Sequence, residues 1–113
     1  MFLVPPGPPR DVTVNKTCVE IVLMWKHPLK DGGMEIANYI ITVLSEGQKP
    51  HTENVDGFAL ERTIGYSFTP KTSYDISIKA RNEVGFGTEE KLVVETDEFC
   101  EYIYILQFCV EQF

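Results

Sequence analysis

The sequence predicts an all-β fold, about seven short strands packed as a two-sheet sandwich. Three observations carry that prediction. Apolar residues recur at period two, most cleanly in SYDISIKARN, where Tyr74, Ile76, Ile78 and Ala80 share one side and Ser73, Asp75, Ser77, Lys79 and Arg81 the other. Turn-forming residues separate such runs at sandwich spacing. No window before Asp97 shows a helical period. A length of 113 residues suits one such domain with a single core.

The chain opens on VPPGPPRDVTV, with four prolines between Pro5 and Pro9. That composition stays extended and resists packing, so residues 1–9 read as a Pro-rich linker, and Val12 and Val14 then alternate as an edge strand. In VEIVLMW, Ile21, Leu23 and Trp25 fall on one face, and Pro28 ends the strand because it has no N–H for a central ladder. Asp31, Gly32 and Gly33 supply residues able to take positive φ in a tight connection. ANYIITVL follows as a β-branched strand with Tyr39, Ile41 and Val43 on its core side.

The stretch SEGQKPHTENVDGFALERTIGYSF predicts an edge strand near His51 to Val55 and another from about Arg62 to Phe68, joined through Asp56 and Gly57. TEEKLVVET is the closing strand. The domain is expected over residues 10–97, with 98–113 an apolar C-terminal tail.

In this order the pieces PPGPPRDVTV, VEIVLMWKHP, DGGMEIANYIITV, FTPKTSYDISIKARN and NEVGFG resemble the fibronectin type III domain, over about Pro5 to Thr96. The resemblance implies a seven-stranded immunoglobulin-like β-sandwich without a disulfide. In antibody-like domains a cysteine stands two residues after the corner tyrosine and pairs across the sheets. Here Ile76 holds that position and Trp25 lies on the second strand, so burial alone holds the core. The expected structural core is Trp25, Tyr39, Phe68, Tyr74, Ile76 and Ala80. Tyr74 is the corner tyrosine, its ring in the core and its hydroxyl bonded to backbone near Phe68 to Lys71. Phe68 stands where the family usually has Leu.

The glycine loop of NEVGFGTEEK can be read as a phosphate cradle or as a strand connection. A cradle needs converging amides at a helix start, with the fuller G-x-G-x-x-G or Walker spacing, and here a strand follows. His27 and His51 are far apart and read as solvated loop residues, and no Cys or His lies at metal-ligand spacing. The acidic pairs Glu89-Glu90 and Asp97-Glu98 read as solvated strand ends. Three cysteines, Cys18, Cys100 and Cys109, are an odd count with no close pair and read as passive thiols. The sequence thus names no catalytic residue, no metal ligand and no cofactor. An enzyme would instead show a cleft with converging polar groups bounded by His27 or His51.

Candidate partner contacts are the loop Asn82, Glu83, Val84, Gly85, Phe86 and Gly87, which relatives use for receptor contact, and the outward apolar pair Val22 and Met24. Partial cover by an adjacent strand is an equally good reading of that pair. The chain contains no Arg-Gly-Asp. Asn15-Lys16-Thr17 is a glycosylation sequon, making Asn15 a candidate site in a secreted protein.

A net charge of −7 with scattered basic residues argues against nucleic acid and anionic lipid. MFLV is too short for the apolar region of a secretory signal. The tail EFCEYIYILQFCVEQF is too short to span a membrane. It reads as a docking segment, as the start of a longer element, or as a non-native end.

The expectation is a non-enzymatic protein-interaction and spacer module of a longer multidomain protein, touching other proteins and neighbouring domains of its own chain. Its expected location is the extracellular side of the plasma membrane in an adhesion protein or receptor. The alternative is a giant muscle protein in the cytoplasm.

Overall fold

The computed structural model describes residues 2–98. Seven strands follow in order: β1 (Arg10–Lys16), β2 (Ile21–Lys26), β3 (Asn38–Leu44), β4 (His51–Asp56), β5 (Glu61–Thr63), β6 (Ser73–Arg81) and β7 (Glu90–Glu95). They form an antiparallel three-stranded sheet, β1-β2-β5, facing an antiparallel four-stranded sheet, β4-β3-β6-β7. No helix occurs among the described residues.

Period-two alternation places the core. Ile21, Leu23 and Trp25 from β2 meet Tyr39, Ile41 and Val43 from β3 and Tyr74, Ile76, Ile78 and Ala80 from β6. Register keeps these sets aligned, with Tyr39 opposite Ala80, Ile41 opposite Ile78 and Val43 opposite Ile76. A one-residue slip would turn all of them to solvent. Trp25 packs edge-on against Tyr39 at 5.3 Å between centroids, and Phe68 against Tyr74 at 4.8 Å. The Tyr74 hydroxyl accepts the Thr69 N–H at 2.8 Å, so the corner tyrosine pins the β5–β6 connection as expected.

Two expectations are corrected. The strand expected over Arg62 to Phe68 ends at Thr63. The Gly65 N–H donates to the Glu53 carboxylate at 2.7 Å instead of continuing a ladder, and Ile64 and Phe68 turn into the core. Next, the proline-rich lead is packed. Pro6 and Pro9 are buried, while Val4 N–H donates to Gly32 O at 3.0 Å and Gly7 N–H to Lys30 O at 2.9 Å. Prolines have no N–H to satisfy, so they can be buried while the residues between them make the hydrogen bonds.

Cys18 is buried in the β1–β2 turn. Among the described residues the core has no cross-sheet disulfide, and Ile76 occupies the position where one would form. Cys100, Cys109 and the tail expected over 98–113 lie outside the described residues apart from Glu98.

Candidate interaction pole

The lead segment, the β2–β3 loop, the β4–β5 turn and the β6–β7 loop gather at one end of the sandwich. Asn82 ties the lead, the β2–β3 loop and the β6–β7 loop together. Its side chain is fully buried, and its amide donates to Val4 O and to Asp31 O, both at 2.8 Å. Its Oδ1 accepts the Val84 N–H at 2.9 Å and the Gly85 N–H at 3.2 Å. Glycines permit the close approach: a Cβ on Gly32 would lie 1.9 Å from Val4 O, and one on Gly87 would lie 1.9 Å from Pro6 O. Asn82 therefore acts inside the loop as a strut, and Gly87, half-buried, permits the close approach of the lead.

The rest of the candidate loop faces outward. Glu83 is exposed, Val84 and Phe86 are 45% and 53% exposed, and Gly85 is half-buried at the tip. The Lys79 ammonium sits 4.5 Å from the Phe86 ring centroid, a cation–π contact that holds the ring in place. Backbone bonds from Asn82 N–H to Gly85 O and from Gly87 N–H to Ala80 O close the loop as an extension of the β6–β7 hairpin. The amides of Val84 and Gly85 point at their own Asn82, so these two do not converge on an outside anion.

Beside it lies a groove of about 870 Å³, lined in part by Phe2, Val4, His27, Leu29, Ile36 and Phe58. This is a cleft bounded by His27, the location expected of an enzyme. Phe2, Leu29 and Phe58, 91%, 77% and 75% exposed, give it a large apolar surface, and Lys30, Asp31 and Glu35 line it as well. His27 Nδ1 is 2.6 Å from the buried Tyr39 hydroxyl, so that ring nitrogen is already engaged. Burial raises the Tyr39 pKa, which keeps the phenol neutral. Of the carboxylates nearby, Asp31 accepts the Gly33 N–H at 2.9 Å and shapes the turn. The groove offers apolar contact area.

His51 is placed differently from its expected solvated loop. It lies on β4, with Nε2 2.7 Å from Glu53 Oε2, while Arg62 Nε donates to Glu53 Oε1 at 2.7 Å. These contacts join the open edges of the two sheets. Burial pushes the Glu53 carboxyl up, but hydrogen bonds from His51, Arg62 and Gly65 N–H and the Arg62 charge outweigh it, leaving the pKa lowered.

Val22 and Met24 are half-buried on the outer face of the three-stranded sheet. Val22 lies between Asn15 and Thr63, and Met24 between Thr13 and Glu61, so polar neighbours interrupt the apolar pair. Asn15 is exposed on that face. The sequon hydroxyl of Thr17 accepts the Val19 and Glu20 N–H groups at 3.2 and 3.0 Å. No group of metal-ligating side chains occurs among the described residues. Among the described residues no helix is long and apolar enough to cross a membrane.

The groove was absent from the sequence reading, although a signal existed. Leu29 follows Pro28 and Phe58 follows Asp56-Gly57, so large apolar residues occupy turns where polar ones are usual.

The fibronectin type III domain family matches residues 7–97. Fibronectin type-III domain-containing protein 3A of Mus musculus is 33% identical over 86 residues, 74% of this chain and 7% of that protein. Titin of Drosophila melanogaster is 28% identical over 113 residues, 95% of this chain and 1% of that protein. Among solved structures, domains A168–A170 from titin superpose with a TM-score of 0.70 at 27% identity, over 83% of this chain and 33% of that one. The chain thus spans a small fraction of the curated relatives it matches.

Proposed function

The chain belongs to the fibronectin type III family, and from that premise we propose that it is a non-catalytic protein-interaction and spacer module of a larger multidomain cell-surface adhesion protein or receptor. The observation that carries this reading is the pole. A rigidly braced loop presents Val84 and Phe86 beside the exposed Phe2, Leu29 and Phe58. A contact patch of this kind is ordered before its partner arrives, which limits the entropy lost on binding. The extracellular assignment is supported by the exposure of the sequon residue Asn15. The titin similarity favours a second reading, an intracellular module of a giant muscle protein.

A photo-crosslinking residue placed at Phe86 in the full-length parent protein, expressed in its own cells, tests the contact reading. Crosslinks to a second polypeptide or to a neighbouring domain are expected from position 86, well above those from a control at the exposed Thr52 on β4. Equal yields from the two positions would refute it. A mobility shift on enzymatic deglycosylation that Asn15→Gln abolishes supports the cell-surface reading; an unmodified Asn15 in the mature protein favours the intracellular one.

A further inference from the structure

We propose that the lead segment Pro5–Arg10 is a docked polyproline II ligand, presented to a domain whose groove holds prolines between aromatic rings beside an acidic pocket. The conformation follows from the residues. Each proline fixes its own φ near −65°, and Val4, Pro5, Gly7 and Pro8 each precede a proline, which holds them in the extended region. A chain so restricted is a polyproline II helix with three residues per turn.

Burial shows that threefold period. Pro6 and Pro9 are buried against the sandwich, whereas Pro5 and Pro8 are exposed. On the third ridge Val4 and Arg10 are exposed and Gly7 is half-buried. A three-residue helix has the cross-section of a triangular prism, and a groove that reads it grips two edges. Here the domain covers one edge and leaves the other two outward.

The outward edges carry Pro5, Pro8 and Arg10 at P-x-x-P-x-R spacing, two prolines for aromatic slots and a guanidinium for a carboxylate. Arg10 Nε donates to His27 O at 2.8 Å, which fixes the stem and leaves the terminal amino groups for a partner. The adjacent Asp11 is paired with Lys26 at 3.3 Å and does not neutralise Arg10. The bonds of Val4, Gly7 and Asn82 hold the segment in its bound form. Packing of the lead explains the buried prolines but not the P-x-x-P-x-R pattern on the outer edges. The inference concerns a different surface from the Val84–Phe86 loop and stands apart from the function proposed for it.

Titration of the isotopically labelled chain with a recombinant SH3 domain that accepts P-x-x-P-x-R peptides, followed by amide NMR, tests it. Saturable shifts are expected at Gly7, Arg10 and their neighbours, and Pro8→Ala and Arg10→Ala should each weaken binding at least tenfold while the core amides stay unchanged. A synthetic peptide of residues 4–12 is the parallel probe. Binding by the peptide but not by the folded chain would overturn the proposal, as would failure of both, shifts confined to residues 83–87, or undiminished binding by Arg10→Ala.

Discussion

Asn82→Ala removes the side chain that joins three segments of the pole. It deletes two donated bonds of 2.8 Å to Val4 O and Asp31 O and two accepted bonds, of 2.9 and 3.2 Å, from Val84 and Gly85. Each net hydrogen bond contributes about 1 kcal/mol, and partners left unpaired at a buried site add to the loss. Water can reach some of the loop groups once the side chain is gone, which lowers the sum. The expected destabilisation is therefore about 3 kcal/mol, and for a domain of this size each kcal/mol lowers Tm by roughly 4–8 °C, giving a fall of about 12–24 °C. Calorimetry measures the stability, and native-state hydrogen exchange at the Val84 and Gly85 amides measures the local effect. Asn82→Asp separates the two halves of the device: it keeps an acceptor for those amides but sets a charged oxygen against two carbonyls. It should be destabilised while retaining protection at Val84 and Gly85. A loss below about 1 kcal/mol in Asn82→Ala, with unchanged exchange at both amides, would show that the pole is held by other contacts.

Tyr74→Phe keeps the ring packing on Phe68 but strips the acceptor from the Thr69 N–H, and should destabilise the domain by about 1–3 kcal/mol in urea without changing the m-value. An unchanged urea midpoint would mean that water replaces the hydroxyl. The acid limb of stability reports on Glu53. Its folded pKa lies below the unfolded value of about 4.3, so its contribution is fully present above that pH and is lost as the pH falls through the folded value. Glu53→Gln should flatten this part of the curve, measured as denaturation midpoint between about pH 7 and pH 3; parallel curves for the two proteins would contradict the assignment.

How much of the molecule is legible in its sequence differs from one element to the next. β2, β3 and β6 each alternate with one face fully buried, so propensity, pattern and burial agree and the strands are readable. The corner role of Tyr74 was readable too, because a phenol placed in a core must find a nearby backbone partner. β5 was overextended because Ile64, Tyr66 and Phe68 alternate like a strand, whereas the Gly65 N–H is claimed by Glu53, twelve residues away. The loop 83–87 was found as a candidate contact from its glycines and position. Asn82 was included with it because nothing local distinguishes an exposed loop asparagine from one buried under a distant segment.

The sequence by itself determined the all-β class, the order of the strands, their core faces and the absence of a disulfide across the core, because these depend on period-two patterning, turn residues and the identity of position 76. Only the tertiary structure decided that the proline lead packs on the domain, that Glu53 bridges the sheet edges with His51 and Arg62, and that Asn82 braces the loop it was expected to expose. The physical reason is contact range. Val4 and Asn82 are 78 residues apart and meet because two sheets close upon each other. Buried polar groups at such meetings take whatever partner the fold delivers, and a one-dimensional pattern does not encode which one that is.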